Sequence, residues 1–118
     1  SRLMRRGEIR WADLDPGRGA EANKRRPAVI VSNDGANTTA ARLGRGVITV
    51  VPVTSNIDRV YPFQVLLPSA TTGLAHDFKA QAEQVRSIAG ERVGSLIGTV
   101  TGVQLAALDE ALRLHLAL

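Results

Sequence analysis

Three stretches of this 118-residue chain, and one histidine, carry side chains that can do chemistry. The first stretch is Arg18 to Arg26, where Arg18, Lys24, Arg25 and Arg26 stand against a single acid, Glu21. Cations gathered at the mouth of the apolar run that begins at Pro27 suit a phosphate, because a rigid strand with a polar loop is a common way to present a site. The segment is not a nucleotide P-loop, since the second glycine and the hydroxyl residue after the lysine are missing. The same charges also describe an ordinary solvated loop. In the second stretch, Val51 to Asn56, Thr54 and Ser55 offer hydroxyl donors for a phosphate oxygen at the end of an apolar strand, and Asn56 follows them. Such residues equally cap turns. The third stretch, Gln81 to Ser87, alternates polar side chains, and an amide such as Gln84 can read a base edge; an outer solvated strand face has the same pattern. His76, beside Asp77, is of a type that does acid–base work near neutrality, and a lone loop histidine is more often simply exposed. His115 lies in the C-terminal helix, on a surface or interface.

Several classes of function are excluded. There is no cysteine, which removes disulfides, thiolate zinc sites and thiol nucleophiles. His76 and His115 lack the spacing of a metal-binding pair, so neither a metal nor a cofactor is expected. No apolar run approaches the roughly 20 residues of a membrane span, and no signal-peptide core follows the basic N-terminus. A cytoplasmic protein without membrane contact is expected. The net charge of +4 and pI of about 10.6 point to a polyanionic partner. Aromatic residues make up only 3% of the chain, which argues against rows of stacked bases on an aromatic sheet.

The elements that must position these groups are short. Arg6 to Leu14 reads as a strand with Ile9 and Trp11 inward and Glu8 and Arg10 outward. Asp15-Pro16-Gly17 ends it. Gly17 to Arg26 reads as an exposed, mobile loop. Pro27 to Ser32 is β-branched and apolar throughout, a strand buried on both faces. Asn33-Asp34 offers a cap for a short helix over Gly35 to Leu43. Gly46 to Val53 is a strand, with Pro52 marking an edge or bulge. Tyr61 to Leu67 is a strand, Pro68 to Asp77 a loop, Lys79 to Ile88 a strand, Gly90 to Val93 a turn and Ser95 to Val100 a strand. Thr101 and Gln104 fit a capping box. Leu105, Leu108, Leu112 and Leu116 then form an apolar helical stripe, with Asp109, Glu110 and Arg113 facing away. Residues 4–118 form one domain, and residues 1–3, before Met4, are read as extraneous. A mainly β fold with short helices is expected, a small bent sheet or barrel with a covering C-terminal helix.

The ordered set of pieces resembles the MazF/PemK toxins over nearly the whole chain, and the mycobacterial type more than the enterobacterial. The carrying residues are Arg6-Gly7-Glu8-Ile9 with Trp11 and Asp13, Asp15-Pro16, Gly19 with Glu21, and Arg26-Pro27-Ala28-Val29-Ile30-Val31-Ser32. Val51-Pro52-Val53-Thr54-Ser55, Tyr61-Pro62-Phe63 with Val65, Gln84-Val85-Arg86-Ser87-Ile88, and Gly98 with Val100 complete it. The resemblance implies a compact SH3-like β-barrel of the CcdB/PemK/MazF type, a homodimer with a groove across its interface, and sequence-specific cleavage of single-stranded RNA. The target is often messenger RNA; ribosomal and transfer RNA are further candidates. It carries the catalytic arginine onto Arg26, the catalytic threonine onto Thr54 and the acidic loop residue onto Glu21. It also implies an antitoxin whose acidic, disordered tail competes for the basic groove. The related CcdB-type gyrase poisons end in a Trp-Gly-Ile stretch, and this chain ends His115-Leu116-Ala117-Leu118 without it. A catalytically silent RNA-binding module is the other alternative.

Metal-free RNA cleavage uses the 2′-hydroxyl as nucleophile and leaves a cyclic phosphate and a 5′-hydroxyl. Arg26 suits stabilisation of the charged phosphorane, as a planar fork that donates to two oxygens. Thr54 can add a hydroxyl donor. Arginine is effectively never deprotonated, so the acid and base roles stay open, with Glu21 one candidate. Arg18, Lys24 and Arg25 would hold the backbone, contacts that position RNA without reading its sequence. Ser55, Asn56 to Arg59 and Gln84 would add recognition.

Overall fold

The computed structural model describes residues 4–14 and 25–118. Among the described residues, seven strands form one strongly bent antiparallel sheet: β1 (Glu8–Asp13), β2 (Arg25–Ile30), β3 (Val47–Thr54), β4 (Gln64–Leu67), β5 (Phe78–Gln81), β6 (Arg86–Ala89) and β7 (Val93–Thr99). The path runs β4-β5-β3-β2-β1-β7, and β6 joins the other half of β3. The expected mainly β architecture is present, as a bent sheet that does not close into a barrel. Three helices accompany it, α1 (Asp34–Leu43), α2 (Ser69–Thr72) and α3 (Gly102–Leu116).

Strand alternation divides the core in two. Ala28 and Ile30 of β2 and Ile48 and Val50 of β3 pack on one face with Ala40 of α1. Val29, Val51 and Val53 point the other way and pack with Leu108 and Ala111 of α3. Both faces of β2 and β3 are therefore covered, as their unbroken apolar runs require. Burying a Val, Leu or Ile side chain contributes about 1.5–3 kcal/mol, so these central strands anchor the molecule.

The helices start where their caps are. Asn33 accepts from the Ala36 N–H and opens α1. Thr101 and Gln104 form a reciprocal capping box on α3. Leu108 is buried, Leu105 and Leu112 are half-buried, and Leu116 is exposed. Glu110 and Arg113 pair on the surface. Asp109, expected to face solvent, instead pairs with Arg6, whose Nε also donates to the Val31 carbonyl.

Four other expectations are corrected. In β1, Arg10 is buried and Trp11 is 39% exposed, the reverse of the expected pattern. Arg10 tolerates burial because its Nε donates to Glu8 (2.8 Å) and its Nη1 to the Gly94 carbonyl (3.1 Å). The expected strand from Lys79 to Ile88 is two strands joined by a 3₁₀ turn, Ala82–Gln84. Its two halves pair with different ends of β3: β5 with Val53 and Thr54, β6 with residues 47–50. Pro52 lies at the break between them. Thr49 offers its carbonyl to the β2 side, so alternation turns the Pro52 nitrogen toward the break, where no ladder bond is lost. Hence β3 is central, not an edge. The strand expected from Tyr61 begins only at Gln64, after a turn closed by the Gln64 N–H donating to the Tyr61 carbonyl.

Candidate nucleic-acid interface

The register of β2 on β3 positions the principal pair. Ala28 stands opposite Pro52 at the end of the β2–β3 ladder, and Arg26 and Thr54 each lie two residues beyond that pair, which by strand alternation sets them on its face. Both continue the face of Ala28 and Val50, beyond the last packed residues of that end. Arg26 is not a loop residue. It lies in β2, opposite Ala12 of β1, which holds its backbone rigid and flanks it with a small side chain. Its side chain is exposed. Such a cation on a strand is pre-positioned, with little ordering left to pay on binding.

Thr54 is half-buried at the end of β3. Its Oγ1 accepts from the Asn56 N–H at 3.3 Å. That bond uses an oxygen lone pair and leaves the hydroxyl proton for an incoming acceptor. Ser55 and Asn56 follow, both exposed, and Asn56 Oδ1 accepts from the Asp58 N–H. This local turn directs the chain away from the sheet.

On the other side of Thr54 stands a residue that sequence reasoning missed. Lys79 of β5 is its cross-strand partner. Cross-strand pairs bring their side chains within contact, so Thr54 and Lys79 are neighbours across β3 and β5. Lys79 is only 8% exposed, and its Nζ donates to the Arg59 carbonyl at 2.6 Å. The signal was present as a lysine between Phe78 and Ala80, whose alternation alone suggests an outward solvated cation. Gln64 was missed too, while Glu83 lies in the third stretch. Gln64 accepts from the Tyr61 N–H and donates to Glu83 Oε2 at 2.8 Å, while Glu83 Oε1 is buried without a hydrogen bond.

The remaining expected residues separate. Arg25 follows strand alternation to the opposite face from Arg26. A side chain at Gly94 of β7 would come within 2.7 Å of Arg25 Nη1, so the guanidinium rests where that glycine leaves room. Arg25 is thus not a second cation beside Arg26. Gln84 is exposed in the 3₁₀ turn rather than on a strand, at the break beside Pro52. Arg18, Glu21 and Lys24, and most of the expected mobile loop with them, lie outside the described residues. His76 is exposed and stacks on Phe78 (ring centroids 4.8 Å apart), on the face opposite Lys79. Trp11, expected in the core, lines a cleft of about 500 Å³ on that same far face, with Pro27, Leu74, His76, Phe78 and Leu96.

Residues 5–116 match the family model described as the PemK-like, MazF-like toxin of type II toxin–antitoxin systems. The chain belongs to the PemK/MazF toxin family. Among its relatives, the endoribonuclease MazF9 of Mycobacterium tuberculosis is 71% identical over 116 residues, 98% of each protein. The endoribonuclease toxin MazF of Escherichia coli K12 is 36% identical over 84% of this chain and 81% of its own length. Of solved structures, MazF of Deinococcus radiodurans superposes with a TM-score of 0.76 at 26% identity, covering all of both chains. A mycobacterial endoribonuclease in complex with its cognate antitoxin shares the fold, with a TM-score of 0.76 at 23% identity over 98% of this chain and 96% of that one. For this PemK/MazF chain, no helix among the described residues is long and apolar enough to cross a membrane.

Proposed function

We propose that the chain is the toxin of a type II toxin–antitoxin pair and cleaves single-stranded RNA at a short sequence, without a metal. The observation that carries this reading is that Arg26 and Thr54 each lie two residues beyond the Ala28–Pro52 pair, on its face, within a MazF-like fold and a chain 71% identical to an endoribonuclease. In the reaction, the 2′-oxygen bonds to phosphorus and the bond from phosphorus to the 5′-oxygen breaks. The 2′-proton goes to a base, and a proton reaches the departing 5′-oxygen. The products are a cyclic phosphate and a 5′-hydroxyl. Arg26 and Thr54 donate to the non-bridging oxygens as negative charge grows there. Neither takes the 2′-proton in this reading. Glu21 remains the acid that the family resemblance brings to that neighbourhood.

The partners follow the same reading. A basic RNA surface attracts an acidic antitoxin segment by charge complementarity, and solved relatives from Mycobacterium and Deinococcus include complexes with antitoxins. Leu114, Leu116 and Leu118, all at least 49% exposed, offer apolar surface to a second copy and support a homodimer. RNA as substrate places the toxin in the cytoplasm.

The test is incubation of the purified protein with a long mixed-sequence RNA in EDTA, beside Arg26→Ala. Discrete fragments ending in cyclic phosphate, from wild type alone, are expected. Intact RNA in both reactions would refute the nuclease reading, and equal cleavage by Arg26→Ala would refute the role of Arg26.

A further inference from the structure

The chain has four aromatic residues, yet two of them meet beside the candidate site. Tyr61 and Phe63 stack with their rings 2° from parallel and centroids 5.3 Å apart. Tyr61 is 40% exposed, although an aromatic ring in a free turn has every reason to bury itself. It is kept in place by what surrounds it. Its backbone N–H donates to Gln64 Oε1, and its hydroxyl accepts from Arg59 Nη1 at 3.2 Å. Lys79 Nζ lies 5.8 Å from the ring centroid and the Arg59 guanidinium 5.6 Å. Lys79 also donates to the Arg59 carbonyl and is the cross-strand neighbour of Thr54. One buried lysine therefore connects the segment before β4 that carries the ring to the strand that presents the hydroxyl.

We infer that the Tyr61–Phe63 stack is a nucleobase platform, on which a base next to the scissile phosphate lies while Thr54 and Arg26 hold that phosphate. The inference rests on the RNA-cleaving reading above and adds a binding subsite to it. A base has a π face whatever its identity, and the exposed Tyr61 ring, stacked on Phe63 and with the Arg59 guanidinium over it, offers such a face a stacking surface. Arg59 adds a planar cation, and such a plane also stacks on bases. Lys79 acts as a positioning residue here. It holds the Arg59 carbonyl and lies 5.8 Å from the ring centroid while pairing across the ladder with Thr54. The low aromatic content forbids a row of stacked bases and is compatible with a single one.

The experiment uses a short RNA spanning a site that the wild-type protein cleaves, with the 2′-hydroxyl at the scissile position replaced by hydrogen. Fluorescent 2-aminopurine is placed in turn at each nucleotide flanking that position. With wild type and with Tyr61→Phe, binding should quench the fluorophore at one flanking position. Tyr61→Ala, at a half-open surface site, should fold normally, lose that quenching and bind about 5- to 100-fold more weakly. Quenching and affinity in Tyr61→Ala equal to wild type would overturn the platform while leaving the nuclease intact, as continued cleavage of the unmodified RNA would show. A wild-type protein that cleaves no RNA overturns both readings.

Discussion

Thr54→Val is the most discriminating single change in the proposed site. Valine keeps the β-branched shape that suits the end of β3, so the strand and its register should survive. What disappears is the oxygen. In the folded protein that oxygen accepts one hydrogen bond, from the Asn56 N–H at 3.3 Å. Loss of one such bond costs about 0.5–1.5 kcal/mol of stability, toward the low end here because Asn56 is exposed and water can replace the acceptor. The catalytic cost should be larger. Removing a preorganised donor to a developing oxyanion slows reactions by about 100- to 1,000-fold, or about 2.7–4 kcal/mol. Single-turnover cleavage of a short RNA, with protein in excess, isolates this step from product release. Urea melts of the same preparations give the stability term. A deep loss of rate in Thr54→Val with nearly unchanged stability, and substantial recovery in Thr54→Ser, is expected. Cleavage by Thr54→Val close to the wild-type rate would refute the donor role. A loss of rate matched by a collapse in stability would show that Thr54 acts only through the fold.

Other consequences are equally direct. A Cβ at Gly98 would fall 1.7 Å from the Thr72 carbonyl oxygen, so Gly98→Ala must push β7 from α2. Such overpacking costs about 1–3 kcal/mol or more, and a denaturant midpoint near that of wild type would contradict the close approach. Thr101→Ala removes one half of the α3 capping box and should cost about 1 kcal/mol in the same assay, with RNA cleavage unchanged. Salt dependence tests the charge role of Arg26. Each phosphate neutralised on a single strand contributes about −0.7 to the slope of log binding constant against log salt. Arg26→Ala should flatten that slope by about this amount, whereas Arg113→Ala, on α3, should leave it unchanged; an unaltered slope in Arg26→Ala would remove it from the phosphate contacts.

Much of this was legible in the sequence, for local reasons. The Asn33 and Thr101 caps, the unbroken apolar runs of β2 and β3, and the positive charge depend on residues close together in the chain. Periodicity and cap chemistry report such features. Arg26 and Thr54 stood among the phosphate-binding candidates by side-chain type, and the family resemblance supplied the catalytic roles expected of them. That they share a face at one end of the sheet depends on the β2–β3 register, which sets Ala28 opposite Pro52 and which no local pattern specifies. The same holds where expectation failed. Arg10 and Trp11 exchanged places because a buried arginine found Glu8 and the Gly94 carbonyl, the latter 84 residues away. The run from Lys79 to Ile88 broke because its halves pair with opposite ends of β3. By itself, then, the sequence determined the central strands, the helix caps, the charge and the family. Only the tertiary structure decided which charged and aromatic groups share a face. Arg25 left the site by strand alternation, and Lys79 entered it beside Thr54, because cross-strand pairing is a contact between distant residues whose energy is realised only when the sheet forms.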